Sequence, residues 1–125
     1  MLLRIFMFAT VLIVPITMVA FGRVFMRSAP NEINSIFGYR TVRSMQNKDT
    51  WVFAHRYFGK IWFIGGLVLL PVSAIAMIFT LGQSEHTVSY VGAAICLAQL
   101  VLMALAIIPT EVALKKNFDS NGQKR

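Results

Sequence analysis

The chain has 125 residues, a length typical of one compact unit. Hydrophobic residues make up 57% of it and charged residues only 14%, whereas water-soluble domains carry about 25% charged residues. The net charge of +7 does not indicate a nucleic-acid partner, because the lysines and arginines lie between long apolar runs rather than along one face of a soluble fold. The single cysteine, Cys96, excludes an internal disulfide framework, and no Cys/His spacing suits a metal site, so we expect no metal and no cofactor. The composition indicates a small integral membrane protein.

Three apolar stretches are long enough to cross a bilayer, which takes roughly 20 helical residues. They cover about residues 2–25, 60–81 and 87–114. Backbone polar groups in lipid must bond internally, so each stretch is predicted to be a helix. The first stretch is longer than the apolar core of a signal peptide, and we expect it to remain as a helix. The predicted fold is an all-α integral membrane domain of three transmembrane helices, with a structured loop (26–59) and a tail (115–125).

The distribution of the twelve lysines and arginines predicts the orientation in the membrane. Seven of them lie from Arg23 to Lys60, four lie in the tail, and Arg4 precedes the first span. The turn between the second and third spans has none. Because positively charged loops stay in the cytoplasm, the long loop and the C-terminus are predicted to be cytoplasmic and the N-terminus to lie outside. The expected location is the bacterial cell membrane, with the lipid bilayer as partner.

The second and third spans are joined by a short turn and are predicted to form an antiparallel helical hairpin. Gly82 suits the end of one helix, and Ser84 or Thr87 suits the start of the next. Small residues allow close approach of helices in lipid, and the two spans contain Gly65, Gly66, Ser73, Ala74, Gly92, Ala93, Ala94 and Ala98. Gln99, in the middle of the third span, is predicted to hydrogen-bond to another helix. Three helices make a thin bundle, so we expect loop closure at one end, a homo-oligomer, or both.

The loop contains the run Gly38-Tyr39-Arg40-Thr41, followed by Arg43. Arginine supplies a two-pronged donor, and glycine lets backbone amides approach a ligand, so the run is suited to hold an anionic group. The same residues are equally suited to dock the loop against lipid headgroups or against a carboxylate of the chain itself. The sequence leaves both roles open.

From Asn47 the pattern becomes helical, with Ser44 or Asn47 as the candidate N-cap. This helix is predicted to run without a break into the second span. One face of it carries four residues at helical spacing: Trp51, His55, Phe58 and Trp62.

The ring-bearing residues of this segment have ordinary interpretations. Trp51, Tyr57 and Trp62 fit an aromatic belt at the membrane interface. His55 is interpreted as a satisfied interior histidine, with proton exchange as the alternative. Because His86 lies on the opposite side of the membrane, a two-histidine metal site is not predicted.

Glu111 lies just inside the end of the third span. A carboxylate near hydrocarbon is costly unless it is paired. We predict that Glu111 pairs with a loop cation (Arg40, Arg43 or Arg56) and pins the loop beneath the bundle. Simple extension of the side chain to the interface is the competing interpretation.

At these residues the sequence resembles the SdpI family, whose named member is an immunity protein against a sporulation-delaying toxin. That family has a cytoplasmic loop with Gly-x-Arg-Thr, then Trp, then His-Arg and Gly at helical spacing. The matching residues are Gly38, Arg40, Thr41, Trp51, His55, Arg56 and Gly59, with Asn31 before them. Small family members often have the form Gly-Tyr-Arg-Thr, which includes Tyr39, and a basic Phe-Asp-x-x-Gly tail, which corresponds to Phe118–Gly122. Longer members follow Arg-Thr with Pro-Trp-Thr and have an additional membrane half, and this chain has neither.

The resemblance implies toxin resistance, and in the named member also capture of a transcriptional autorepressor at the membrane. The first hypothesis is therefore a small membrane immunity or signalling protein that binds a peptide toxin or a cytoplasmic protein partner, without catalysis. The second is a membrane enzyme or lipid-handling protein in which Arg40 and Arg43 grip a phosphate headgroup and His55 exchanges protons. A transporter or channel subunit is the third, and it would require oligomerisation.

Overall fold

The computed structural model describes residues 2–31, 33–34 and 38–125. The loop motif from Gly38 onward is therefore described, whereas 32 and 35–37, which belong to the predicted loop, lie outside the described residues. Regular structure consists of four helices, which are α1 (Leu2–Arg27), α2 (Lys48–Ile78), α3 (Glu85–Leu105) and α4 (Ile107–Asn117). No named strand occurs in the described residues.

Three helical segments are long and apolar enough to cross a membrane: α1, α2, and α3 together with α4. The prediction of an all-helical protein with three helices long and apolar enough to span a membrane is confirmed for the described residues. The third segment is divided at Ala106. Pro109 lacks an N–H and cannot bond to the carbonyl four residues before it, which accounts for the interruption of the helix near this point.

Helix α2 begins before the apolar run and continues into it without a break. Its N-cap is Asn47, whose side chain accepts a hydrogen bond from the Thr50 N–H (2.9 Å), while Thr50 Oγ1 accepts from the Asn47 N–H (3.1 Å). This reciprocal pair satisfies two donors that a helix start otherwise leaves exposed. Of the two candidate caps, the structure selects Asn47 over Ser44.

Helix α2 packs mainly against α1, and it contacts α3 much less. A Cβ on Gly59 would lie 2.7 Å from the Gly22 carbonyl oxygen, and a Cβ on Gly66 would lie 2.8 Å from the Pro15 carbonyl oxygen. Glycines on both helices therefore let the two backbones approach closely. Gly92 of α3 also faces α1, at Met7. The small residues of the second and third spans predicted close approach of helices without naming the partner, and the structure shows that these glycines face α1.

Gln99 joins three helices, as its position in the third span predicts. Its Nε2 donates to the Val11 carbonyl oxygen (2.9 Å) and to Ser73 Oγ (2.7 Å). Proline at position 15 has no N–H, so the Val11 carbonyl lacks its usual intrahelical partner. The amide of Gln99 supplies the missing donor from α3.

Candidate functional site

His55 holds the loop motif against α2. Its Nδ1 lies 2.8 Å from the Trp51 carbonyl oxygen, and its Nε2 accepts the Tyr39 N–H at 2.8 Å. A carbonyl can only accept, so the proton is on Nδ1 and the ring is the neutral tautomer. The side chain is fully buried. Both ring nitrogens of His55 are thus used within the chain.

Gly38 lies directly over the His55 ring. Its φ is +110°, and a Cβ at this position would lie 2.5 Å from His55 Nε2. Only glycine meets both conditions, because other residues rarely adopt this backbone region and all carry a Cβ. The glycine and the histidine of the motif therefore form one structural unit, although they are far apart in sequence.

Trp51 is fully buried and fastens the beginning of the loop. Its Nε1 donates to the Pro30 carbonyl oxygen (2.9 Å), and its ring packs at a tilt against the His55 ring, at a centroid distance of 4.2 Å. The Nε1 of Trp62 donates to the Met103 carbonyl oxygen (3.2 Å). The interpretation as an interfacial belt is wrong for Trp51, which is fully buried, whereas Trp62 is half-buried and still fits it. Tyr57 is partly exposed and still fits that interpretation.

Glu111 joins the loop motif to α4 through two hydroxyl groups. Its Oε2 accepts hydrogen bonds from the Tyr39 hydroxyl (2.6 Å) and from Thr41 Oγ1 (3.0 Å). We predicted a cation as the partner; the hydrogen bonds come instead from hydroxyls of the same loop. Burial raises the pKa of the Tyr39 hydroxyl well above its ordinary value, and the hydrogen bond and negative charge of Glu111 raise it further. The hydroxyl therefore stays protonated and remains a donor.

A buried serine shapes the turn that follows the motif. Ser44 Oγ accepts the Thr41 N–H (2.9 Å) and lies 3.1 Å from the Tyr39 carbonyl oxygen, to which it can donate. The Ser44 carbonyl oxygen in turn accepts from Thr50 Oγ1 (3.1 Å). These bonds connect the motif to the first turn of α2. Ser44, which the sequence offered only as a helix cap, instead fixes the path of the loop.

Arg40 is exposed beside an open groove of about 410 Å³. The apolar walls come from α1, α2 and α4 and include Phe21, Phe25, Phe58, Trp62 and Ile107. Tyr39, Arg40 and Thr41 form the polar end of the groove. The groove therefore combines an aromatic surface with a guanidinium, an arrangement suited to an amphipathic ligand.

The other predicted site residues lie outside this groove. Arg43 is half-buried in the turn after the motif. The Asn31 carbonyl oxygen accepts from Lys48 Nζ at the start of α2. Arg56 lines a separate cavity with Phe53. The structure thus joins Gly38, Tyr39, Thr41, Trp51, His55 and Glu111 in one network and separates Arg56 from it.

The C-terminal tail contributes contacts that the sequence did not predict. Asp119 Oδ1 accepts the Asn121 and Gln123 N–H groups at 2.9 Å each, and Gly122 has φ +80°. The turn formed in this way presents the Gly122 carbonyl oxygen to Asn47 Nδ2 (2.7 Å). The run Phe-Asp-x-x-Gly was noted as a family feature, and its docking on the N-cap of α2 gives it a structural role.

Comparison with known proteins agrees with the resemblance carried by the loop motif. Residues 31–111 match the SdpI/YfhL protein family. The chain is 28% identical over 89 residues to the uncharacterized protein YfhL of Bacillus subtilis (strain 168), covering 71% of this chain and 67% of that protein. No solved structure matches. The matched segment includes the loop network and ends at Glu111, its partner in the third span, and the chain belongs to the SdpI/YfhL family of membrane proteins.

Proposed function

We propose that this protein is a non-catalytic immunity or signalling protein of SdpI type, which confers resistance to a membrane-active peptide toxin by binding it. The observation that carries the proposal is the use of both His55 nitrogens within the chain. A histidine in this state positions the loop and has no lone pair left for a substrate. The motif then serves as a scaffold that presents Arg40 and the groove beside it.

The groove has the chemistry that a membrane-active peptide requires. Its phenylalanine and tryptophan rings offer apolar contact area, and Arg40 offers donors for a carboxylate or a backbone carbonyl. We place this end of the molecule in the cytoplasm, since most lysines and arginines lie there. A cytoplasmic protein partner could use the same basic face, and self-association of the bundle stays a prediction.

The alternative of a membrane enzyme has less support. It needs a residue that exchanges protons, and His55 is occupied on both sides. A protein that binds lipid without catalysis would not need a residue that exchanges protons. Binding of a lipid phosphate by Arg40 is therefore the second candidate, favoured by the same combination of an arginine and apolar walls.

The first test is protection of a toxin-sensitive bacterial host by the full chain against the sporulation-delaying peptide toxin. We expect survival with the wild type and at least a tenfold loss of protection with Arg40→Ala. Arg27→Ala, at the exposed end of α1, removes the same charge outside the groove and should retain protection. Equal losses in the two variants, at equal membrane levels, or no protection by the wild type would contradict the proposal.

A second pair of variants distinguishes a structural role of His55 from a role in proton exchange. Glutamine at position 55 can still accept the Tyr39 N–H but cannot exchange a proton near neutral pH, whereas leucine can do neither. We expect His55→Gln to retain much of the protection and His55→Leu to lose it together with thermal stability. Complete loss of protection in a folded His55→Gln variant would favour the enzyme alternative.

A further inference from the structure

A second basic surface lies on α2, separate from the loop motif. A cavity of about 450 Å³ is formed between the first turns of α2 and the C-terminal tail. Its apolar part consists of Val52, Phe53 and Phe118, whose two phenylalanine rings pack at a centroid distance of 5.4 Å. None of its lining residues belongs to the groove beside Arg40.

Cations dominate the polar part of this cavity. Arg56, Lys60 and Lys124 line it, against the single carboxylate of Asp49. All three cations are exposed, and within the described residues their side chains have no hydrogen-bond or ion-pair partner. Lys124 is brought here by its bridge to Phe118 in the folded tail. The surface is therefore set up for a negatively charged group.

The cavity continues along the membrane-spanning part of α2. An adjacent apolar groove of about 460 Å³ shares Tyr57 and Lys60 with it and is otherwise lined by Ile61, Ile64 and Gly65. From Asp49 to Gly65 the combined groove follows α2 for roughly 24 Å. It passes from charged residues to residues of the apolar span. A molecule that fills it must be anionic at one end and apolar at the other.

We propose that this combined groove on α2 binds an anionic phospholipid of the surrounding bilayer. The phosphate lies among Arg56, Lys60 and Lys124, and an acyl chain lies over Ile64 and Gly65. Charge complementarity favours an anionic over a zwitterionic lipid, since each nearby cation adds attraction to a negative headgroup. The apolar continuation favours a lipid over a soluble phosphate, which would leave that part of the groove unfilled.

The test uses the full chain in nanodiscs that contain phosphatidylcholine with a minority of phosphatidylglycerol. Native mass spectrometry of the protein released from the nanodiscs measures which lipid stays bound to it. We expect the wild type to retain phosphatidylglycerol, and Arg56→Gln/Lys60→Gln to retain it roughly tenfold less. Arg27→Gln/Lys116→Gln is the matched control, because it removes two exposed charges outside the groove. Circular dichroism should show equal helix content in all three proteins.

Other outcomes would overturn the proposal. Equal losses in the two double variants would mean general attraction of a basic protein to an anionic surface. Equal retention of phosphatidylcholine and phosphatidylglycerol by the wild type would mean that charge does not select the lipid. Displacement by soluble glycerol phosphate would indicate a free phosphate as the ligand. A short-chain phosphatidylglycerol should bind more weakly than the long-chain lipid, and equal binding would exclude the acyl contact.

Discussion

Gly38 has a left-handed backbone conformation, and its α-carbon faces the imidazole of His55. A side chain at this position would strain the backbone and would also displace the nitrogen that accepts the Tyr39 N–H. These are separate free-energy costs. Gly82 provides a comparison, because its φ is +86° and a Cβ there would meet nothing within 4 Å.

We predict that Gly38→Ala lowers the free energy of unfolding by about 3 kcal/mol and Gly82→Ala by about 1 kcal/mol. The difference measures the contact with His55, since both variants carry the cost of the left-handed backbone. Unfolding in detergent micelles, followed by tryptophan fluorescence, reports the effect directly, because Trp51 contacts the His55 ring. Equal losses of stability in the two variants would show that the Gly38–His55 contact does not matter.

The sequence predicted correctly that Glu111 needs a partner, but the loop cation that we expected is not the group that donates to it. A carboxylate near the end of an apolar span indicates pairing on solvation grounds alone. The choice between an arginine and the hydroxyls of Tyr39 and Thr41 depends on the path of the loop. That path is set by Ser44 and His55, whose hydrogen bonds reach across 5 and 16 residues. Such contacts leave no local pattern in the sequence.

At the scale of elements, the start of α2 has two functions that meet in Asn47. Its Oδ1 caps the helix by accepting the Thr50 N–H, and its Nδ2 donates to the Gly122 carbonyl oxygen of the tail. Gln46 adds a bond to the Ser120 carbonyl oxygen (2.7 Å). The tail is therefore held at the point where α2 begins, next to the combined groove on α2.

Asn47→Asp separates the two functions, because aspartate caps a helix as well as asparagine does but has no amide donor. We expect the stability of the helical bundle to change by less than about 0.5 kcal/mol, while the tail loosens. Amide hydrogen exchange should become roughly fivefold faster at Asp119 and Gly122 and remain unchanged within α2. Asn47→Ala removes both functions and should weaken α2 as well. Unchanged exchange in the tail of the aspartate variant would contradict the docking role.

The helices themselves were predictable from the sequence, whereas the helix against which each one packs was not. An apolar stretch of this length indicates a membrane-spanning helix, because a helix satisfies its backbone hydrogen bonds within the segment, as lipid requires. The continuous helix from Lys48 was also predictable, since Trp51 and His55 begin a face that the apolar run continues. Small residues indicate close packing but do not specify a partner, and Gly66 and Gly92 both face α1. The tail was missed because Asp and Gly spaced in this way are common in turns of every kind.

At the scale of the whole molecule, two apolar cores lie toward opposite ends of the bundle. One contains Tyr39, Phe58 and Leu114, and the other contains Val11 and Met77. Between α1, α2 and α3, Gln99 is almost fully buried, and its Oε1 is the one buried side-chain nitrogen or oxygen atom of the described residues without a hydrogen-bond partner. The polar side chain of Gln99 lies among apolar residues because the Val11 carbonyl needs a hydrogen-bond donor.

This dependence predicts coupling between Gln99 and Pro15. Gln99→Leu should lower the free energy of unfolding by about 1 kcal/mol, the usual size of an interhelical hydrogen bond in a membrane protein. In a Pro15→Ala background the alanine N–H can bond to the Val11 carbonyl, so the same substitution should cost much less. Pro71→Ala is the control, because Pro71 is exposed on α2 and its removal gives Val11 no donor. The free energies of unfolding, measured by steric trapping in bicelles, give one double-mutant cycle for Gln99 with Pro15 and one for Gln99 with Pro71. Equal coupling energies in the two cycles would mean that Gln99 stabilises the bundle through Ser73 rather than by replacing the bond that proline removes.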